Sequence, residues 1–254
     1  MGVKTHIDAA DIAPFWEART LHPTQDGVRD TVYWLDNDYV LKVFEEASVE
    51  SAQREWELLA SLAPLPVPRA LTPVFALRGK SALVYAKCAG TSPNRPTENQ
   101  IRGIGAFLRD LHGRTRGKQS GNLPLFKRER LAELIARTGH EPFSALFAEL
   151  RIDLRDEGII HGDLFPDNAS FCGDELGCVY DWSEACNGDF TFDLAVTALA
   201  WCADDAHTRM LLDAYGYTEA IERFRPYVRY AGLYYSVTRF LAGRDHTDLW
   251  EKIQ

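Results

Sequence analysis

The stretch His161–Asn168, HGDLFPDN, gathers residues that could do chemistry together. Asp163 lies behind His161 and Gly162, Asn168 comes five residues later, and Asp181 thirteen after that, in CVYDW. Asp163 can accept a proton or orient a hydroxyl. Asp181 is a hard oxygen ligand suited to Mg2+, and the amide oxygen of Asn168 can assist it. Such groups could position a hydroxyl, a metal ion and a phosphate. Phosphoryl transfer needs those parts and a cation on the phosphates. Other chemistries use the same residue types. They can be turn residues only. Asp163 and Asp181 can be a glycosidase carboxylate pair. His161 can serve a hydrolase dyad, although no GxSxG accompanies it, and a metallohydrolase would want an HExxH or histidine cluster that the chain lacks.

A cation is available upstream. Lys42 sits between Leu41 and Val43 in the β-rich run Tyr39–Phe44, and alternation puts it with Phe44 on one face. A strand lysine is ordinarily a solvated edge residue. It can instead meet nucleotide phosphates when a carboxylate holds it. The helix pattern Ser48–Leu62 has apolar positions at Val49, Ala52, Trp56, Leu59 and Leu62; Glu55, three after Ala52 and four before Leu59, falls on the inward stripe, and a carboxylate on a packed face needs a partner. A local pairing with Arg54 on a solvated face is the competing assignment. The run Asp26–Asp30, DGVRD, is the one candidate for a loop over phosphates, or is simply a turn.

These residues need elements to position them. Thr31–Leu35 and Tyr39–Phe44 predict a hairpin, and Thr72–Leu77 with Ser81–Tyr85 a second one. A short helix is expected over Asp11–Arg19, with Pro14 in its first turn. From Thr97 the pattern turns helical: Glu98–Leu111 capped by Gly113, then Lys127–Thr138 and Pro142–Arg151. Ala169–Cys172 and Cys178–Trp182, around the turn Gly173–Gly177, form a hairpin that would bring Asp163, Asn168 and Asp181 to one end. Helices follow over Phe190–Cys202, Ala206–Tyr215, Thr218–Phe224 and Pro226–Leu241. Asp193 opens the first of these, where a carboxylate can accept free amides or brace a neighbouring loop. His112 is assigned a structural role, and the tyrosines of the last helix are assigned to core packing.

Composition sets the bounds. With 254 residues, 46% hydrophobic and 26% charged, the chain is an ordinary globular one, large enough for two lobes. A net charge of −9 argues against a nucleic-acid surface and suits a cationic or zwitterionic substrate, or simply a soluble cytoplasmic protein. Glu184, Asp189 and Asp204 could attract an amine-bearing acceptor. The 5 cysteines lack CxxC spacing, so buried reduced thiols are expected and not a disulfide framework or zinc site. No apolar run reaches transmembrane length.

HGDLFPDN followed by VYDW resembles the HxDxxxxN motif of the aminoglycoside phosphotransferases and choline kinases, which share the protein-kinase-like fold. The order strand lysine, helix glutamate, hinge, helical lobe extends the resemblance over most of the chain. HGDLFPDN with DWSEACNGDFTFDLAVTALAWC is most similar to the bacterial homoserine kinases of this superfamily. The resemblance implies an α+β two-lobed fold, with a small N-terminal antiparallel sheet plus helix over residues 1–86, a hinge at 87–96 and a larger, mostly helical lobe over 97–254. It implies ATP and Mg2+, with Asp163 as catalytic base and Asn168 and Asp181 as magnesium ligands. Lys42 and Glu55 would serve the ATP phosphates, and the adenine would lie near Tyr85–Cys88. The acceptor would be a small-molecule hydroxyl, homoserine first, with choline, aminoglycosides or sugars as alternatives. A kinase-like binding protein without catalysis is the reading from another class.

Overall fold

A computed structural model describes residues 3–24 and 29–254, arranged in two compact units, Met1–Ala89 and Gly90–Gln254. Asp26, Gly27 and Val28 of the candidate phosphate loop lie outside the described residues.

The first unit is an antiparallel sheet with one substantial helix. Its strands are β1 (Leu21–Pro23), β2 (Thr31–Leu35), β3 (Tyr39–Phe44), β4 (Phe75–Leu77) and β5 (Lys80–Ala86), in the order β1-β2-β3-β5-β4. The β2–β3 hairpin forms where the alternation places it. Its turn residues Asp36 and Asn37 take φ of 50° and 66°, which Asp and Asn tolerate better than other side chains. One face of the sheet buries Tyr33, Leu35, Leu41, Val43, Ala82 and Val84 against Ile7 and Ile12. Lys42 and Phe44 belong to the other face, as period two requires. Helix α1 (Ala9–Ile12) starts earlier than expected because Asp8 caps it in a capping box with Asp11, and it ends ahead of Pro14. Helix α2 (Val49–Leu62) has Ser48 as its cap, with the Ser48 hydroxyl accepting from Ser51 N. Strand β4 is shorter than the pattern suggested. Pro73 offers no N–H for a ladder, so pairing begins at Phe75.

The second unit is mainly helical: α3 (Glu98–Thr115), α4 (Arg128–Thr138), α5 (Glu141–Glu149), α6 (Phe190–Trp201), α7 (Asp205–Tyr215), α8 (Ile221–Leu241) and α9 (Thr247–Glu251). Helix α3 packs on α7, and α6 on α8. Two small antiparallel ladders carry the candidate site: β6 (Gly158–Ile160) with β9 (Cys186–Gly188), and β7 (Ala169–Cys172) with β8 (Glu175–Val179). Gly113 does not cap α3, which runs on to Thr115. Nor does Pro226 break the last long helix. It stands in the second turn of α8, where only the carbonyl of Glu222, in the first turn, loses its partner. Among the described residues no helix is long and apolar enough to cross a membrane. The thiol expectation holds for Cys172, Cys186 and Cys202, which are free, although Cys172 is exposed. It fails for Cys88 and Cys178, which are disulfide-bonded; spacing reveals only cysteines paired close along the chain.

Candidate active site

The first unit builds a nearly dry ion pair. Lys42 on β3 and Glu55 on the inward stripe of α2 meet with Nζ 2.9 Å from Oε1 and 3.0 Å from Oε2. Their side chains are only 13% and 9% exposed. Of the two assignments for Glu55, the long-range one is realised. The Tyr85 hydroxyl donates to Glu55 Oε1 at 3.0 Å. Burial first, then the Glu55 charge, raises the Tyr85 phenol well above its ordinary value, so it stays a donor. Tyr85, assigned by the resemblance to the adenine, thus turns its polar end to the ion pair, and Cys88 follows just past the end of β5. The Phe44 ring lies 4.5 Å from the ammonium. Asp30 adds a second carboxylate, with Oδ2 3.5 Å from Lys42 Nζ.

The second unit brings Asp163 and Asn168 together. Asn168 Nδ2 donates to the Asp163 carbonyl at 2.8 Å and to its Oδ2 at 3.2 Å. The β7–β8 register sets Ala169 opposite Val179, and Tyr180 N donates to Asn168 O at 3.0 Å. Asn168 and Asp181 therefore stand at the open end of that hairpin, as the spacing suggested. Asp181 is not in the strand; it takes φ of 60°, and Ser183 Oγ donates to its Oδ1 at 2.8 Å. The Asp163 carboxyl is pushed up to about 7. Burial is the largest cause, then the negative charges of Asp181, Glu184 and Asp167, while the nearby Tyr235 hydroxyl opposes them.

The loop that carries Asp163 is fixed through its backbone. Asp193 on α6 is fully buried and accepts from His161 N at 2.9 Å and Gly162 N at 2.8 Å. His112 Nε2 lies 3.0 Å from the same carboxylate, and its Nδ1 is 2.9 Å from the Tyr215 hydroxyl. Burial pushes Asp193 upward, yet the bonds from His112 and Gly162 outweigh it and hold the carboxyl below its usual range. Tyr235 on α8 donates to the Gly162 carbonyl, and Trp201 Nε1 on α6 donates to Leu164 O at 2.9 Å. His161 Nδ1 accepts from Asp163 N at 3.2 Å, which makes Nε2 the donor to Tyr180 O at 3.1 Å. Gly162 has φ of 82°, and a Cβ there would lie 2.4 Å from the Phe126 ring, so both conformation and space demand glycine.

Two acidic residues considered for an amine are otherwise engaged. Asp189 caps α6, accepting from Phe192 N and Arg155 N, and Asp204 caps α7 through His207 N. Arg239 pairs with Asp248 at 2.9 Å, with its guanidinium 5.9 Å from the Phe165 ring. Sequence reasoning missed Tyr235 as a contact of the loop. The tyrosines of α8 look like core filling, and its aromatic spacing does not distinguish the one whose hydroxyl finds Gly162. Among the described residues no group of three or more His, Cys, Asp or Glu could hold a metal by itself. The donors present, one carboxylate and one amide oxygen, suit an ion that keeps waters and shares phosphate oxygens, as Mg2+ does.

Residues 20–227 match the model of the phosphotransferase enzyme family, and the chain belongs to that family. It is an enzyme that transfers phosphoryl groups to a small molecule. The homoserine kinase of Methylocella silvestris is 31% identical over 232 residues, covering 80% of this chain and 72% of the relative. That of Methylobacillus flagellatus is 30% identical over 225 residues, covering 78% and 70%. Among solved structures, the GDP complex of aminoglycoside 2'-phosphotransferase-IIIa superposes with a TM-score of 0.71 at 16% identity, covering 96% of both chains. A choline kinase from Streptococcus pneumoniae gives 0.67 at 17%, covering 96% of this chain and 95% of its own. At these identities the two structures speak for the fold alone.

Proposed function

We propose that the enzyme transfers the γ-phosphoryl group of ATP to the hydroxyl of a small amine-bearing acceptor, homoserine being the first candidate. The observation that carries this reading is Asp163. Its carboxylate is held by Asn168, contacted by Tyr235 and surrounded by the negative charges of Asp181, Glu184 and Asp167. A carboxylate so placed can orient an acceptor hydroxyl and take its proton. The same negative field favours an acceptor bearing an ammonium group. The similarity to homoserine kinases supports homoserine as the first acceptor to test.

Each side chain has a role in this reading. Lys42, fixed by Glu55 and supported by Tyr85, holds phosphate oxygens. Asn168 and Asp181 hold Mg2+, which when bound neutralises charge on the phosphates. Asp163 orients the hydroxyl, and Asp193 keeps the loop beneath it in shape without touching substrate.

An ATP-consumption screen over homoserine, choline, aminoglycosides and sugar alcohols, with the phosphorylated product identified by mass, tests the proposal. Homoserine phosphate that disappears in Asp163→Asn is the expected result. Turnover of another hydroxyl alone would remove homoserine. Nucleotide binding without any product would leave a binding protein and overturn the catalytic reading.

A further inference from the structure

Lys42 lies between two carboxylates, and this has a consequence for how nucleotide enters. Glu55 takes Nζ at 2.9 and 3.0 Å, and Asp30 Oδ2 stands at 3.5 Å. Asp30 is no mobile surface residue. Its side chain is 10% exposed, and its other oxygen accepts from Glu45 N at 3.1 Å. An ammonium has three N–H donors, and Glu55 engages two of them. Both carboxylates therefore bear on the one ammonium. A lysine meant for phosphates would be expected to keep part of its positive field unspent.

We propose that Asp30 is a stand-in for a nucleotide phosphate: it occupies Lys42 until ATP arrives and competes with the phosphate oxygens for the ammonium. The inference rests on the reading of Lys42 as a phosphate ligand. Asp30 contributes a like charge beside the incoming polyanion, in a site too shielded for solvent to screen it fully. Glu55 keeps Lys42 on station, so that loss of Asp30 strengthens binding without displacing the lysine. Asp30 is therefore a residue that sets donor affinity downward.

The test is calorimetric binding of metal-free ATP and of adenosine to the wild type and to Asp30→Asn. The amide keeps an oxygen for Glu45 N–H and removes the charge. The dissociation constant for ATP should fall about tenfold, and that for adenosine should not change. Should Asp30→Asn fold poorly by thermal melting, Asp30→Ser retains an acceptor and should move ATP affinity in the same direction. Unchanged or weaker ATP binding in a folded variant overturns the inference, as does an equal gain for adenosine, which would report a structural change. If ATP binds neither the wild type nor the variants, both this inference and the donor reading are overturned. If it binds all of them equally, only the inference about Asp30 is.

Discussion

Asn168 holds Asp163 twice, by the main-chain oxygen at 2.8 Å and by the carboxylate at 3.2 Å. One amide group thus fixes both where the loop passes and which way its carboxylate points. Asn168→Ala should lower kcat by about 10²-fold, the order expected when a reacting group loses its alignment. It should also raise the Mg2+ concentration needed for half-maximal rate, because the amide oxygen goes with the side chain. Steady-state kinetics over a magnesium series would read both, and an unchanged magnesium requirement would remove Asn168 from the metal.

Asp163 is raised to about 7, chiefly by burial. The native state therefore keeps a proton that the unfolded chain has released above about pH 4. Stability should fall as pH rises between about 4 and 7 and then level off. Asp163→Asn abolishes this contribution. Unfolding in urea should find the variant's advantage over the wild type growing across that window, although its turnover is lost. A constant difference between the two proteins from pH 4 to 8 would contradict the buried, repelled carboxylate.

Glu55 anchors Lys42 and accepts from Tyr85. Glu55→Leu should cost about 3 kcal/mol, since it strips a carboxylate from both a shielded ammonium and a buried phenol. Adding Lys42→Met should recover part of that loss. A double-mutant cycle in denaturant that returned purely additive values would mean the pair contributes no coupling energy.

Asp193 lies below its usual range because of the donors it accepts from, in spite of its burial. Here the folded value is depressed, so the contribution is present above the unfolded value near pH ~3.9 and is lost as pH falls through the folded one. Asp193→Asn should be less stable at pH 7 by about 1–3 kcal/mol, as one of three donors faces an amide that cannot accept it. The gap should narrow toward pH 3. Equal acid sensitivity in the two proteins would place the acid-labile group elsewhere.

Local periodicity made much of this protein legible. The alternation in Tyr39–Phe44 and the stripe in α2 led to Lys42 and Glu55, and the turn after Cys172 led to the hairpin that carries Asn168 and Asp181 to one end. What escaped depends on distance along the chain. Strand β6 finds its partner near Asn187, and Tyr235 reaches Gly162 across 73 positions. Short apolar pieces and a tyrosine among tyrosines carry no mark of such partners. The break expected at Pro226 failed for a simpler reason. A proline near a helix start removes little, and the pattern alone does not say where the start is.

Most backbone polar groups of the His161–Asn168 loop are engaged. Asp193 takes two of its N–H groups, and Tyr235, Asn168 and Trp201 take its carbonyls. Such a loop can be inherited whole. Side chains around it can change while the main chain that carries Asp163 stays as it is.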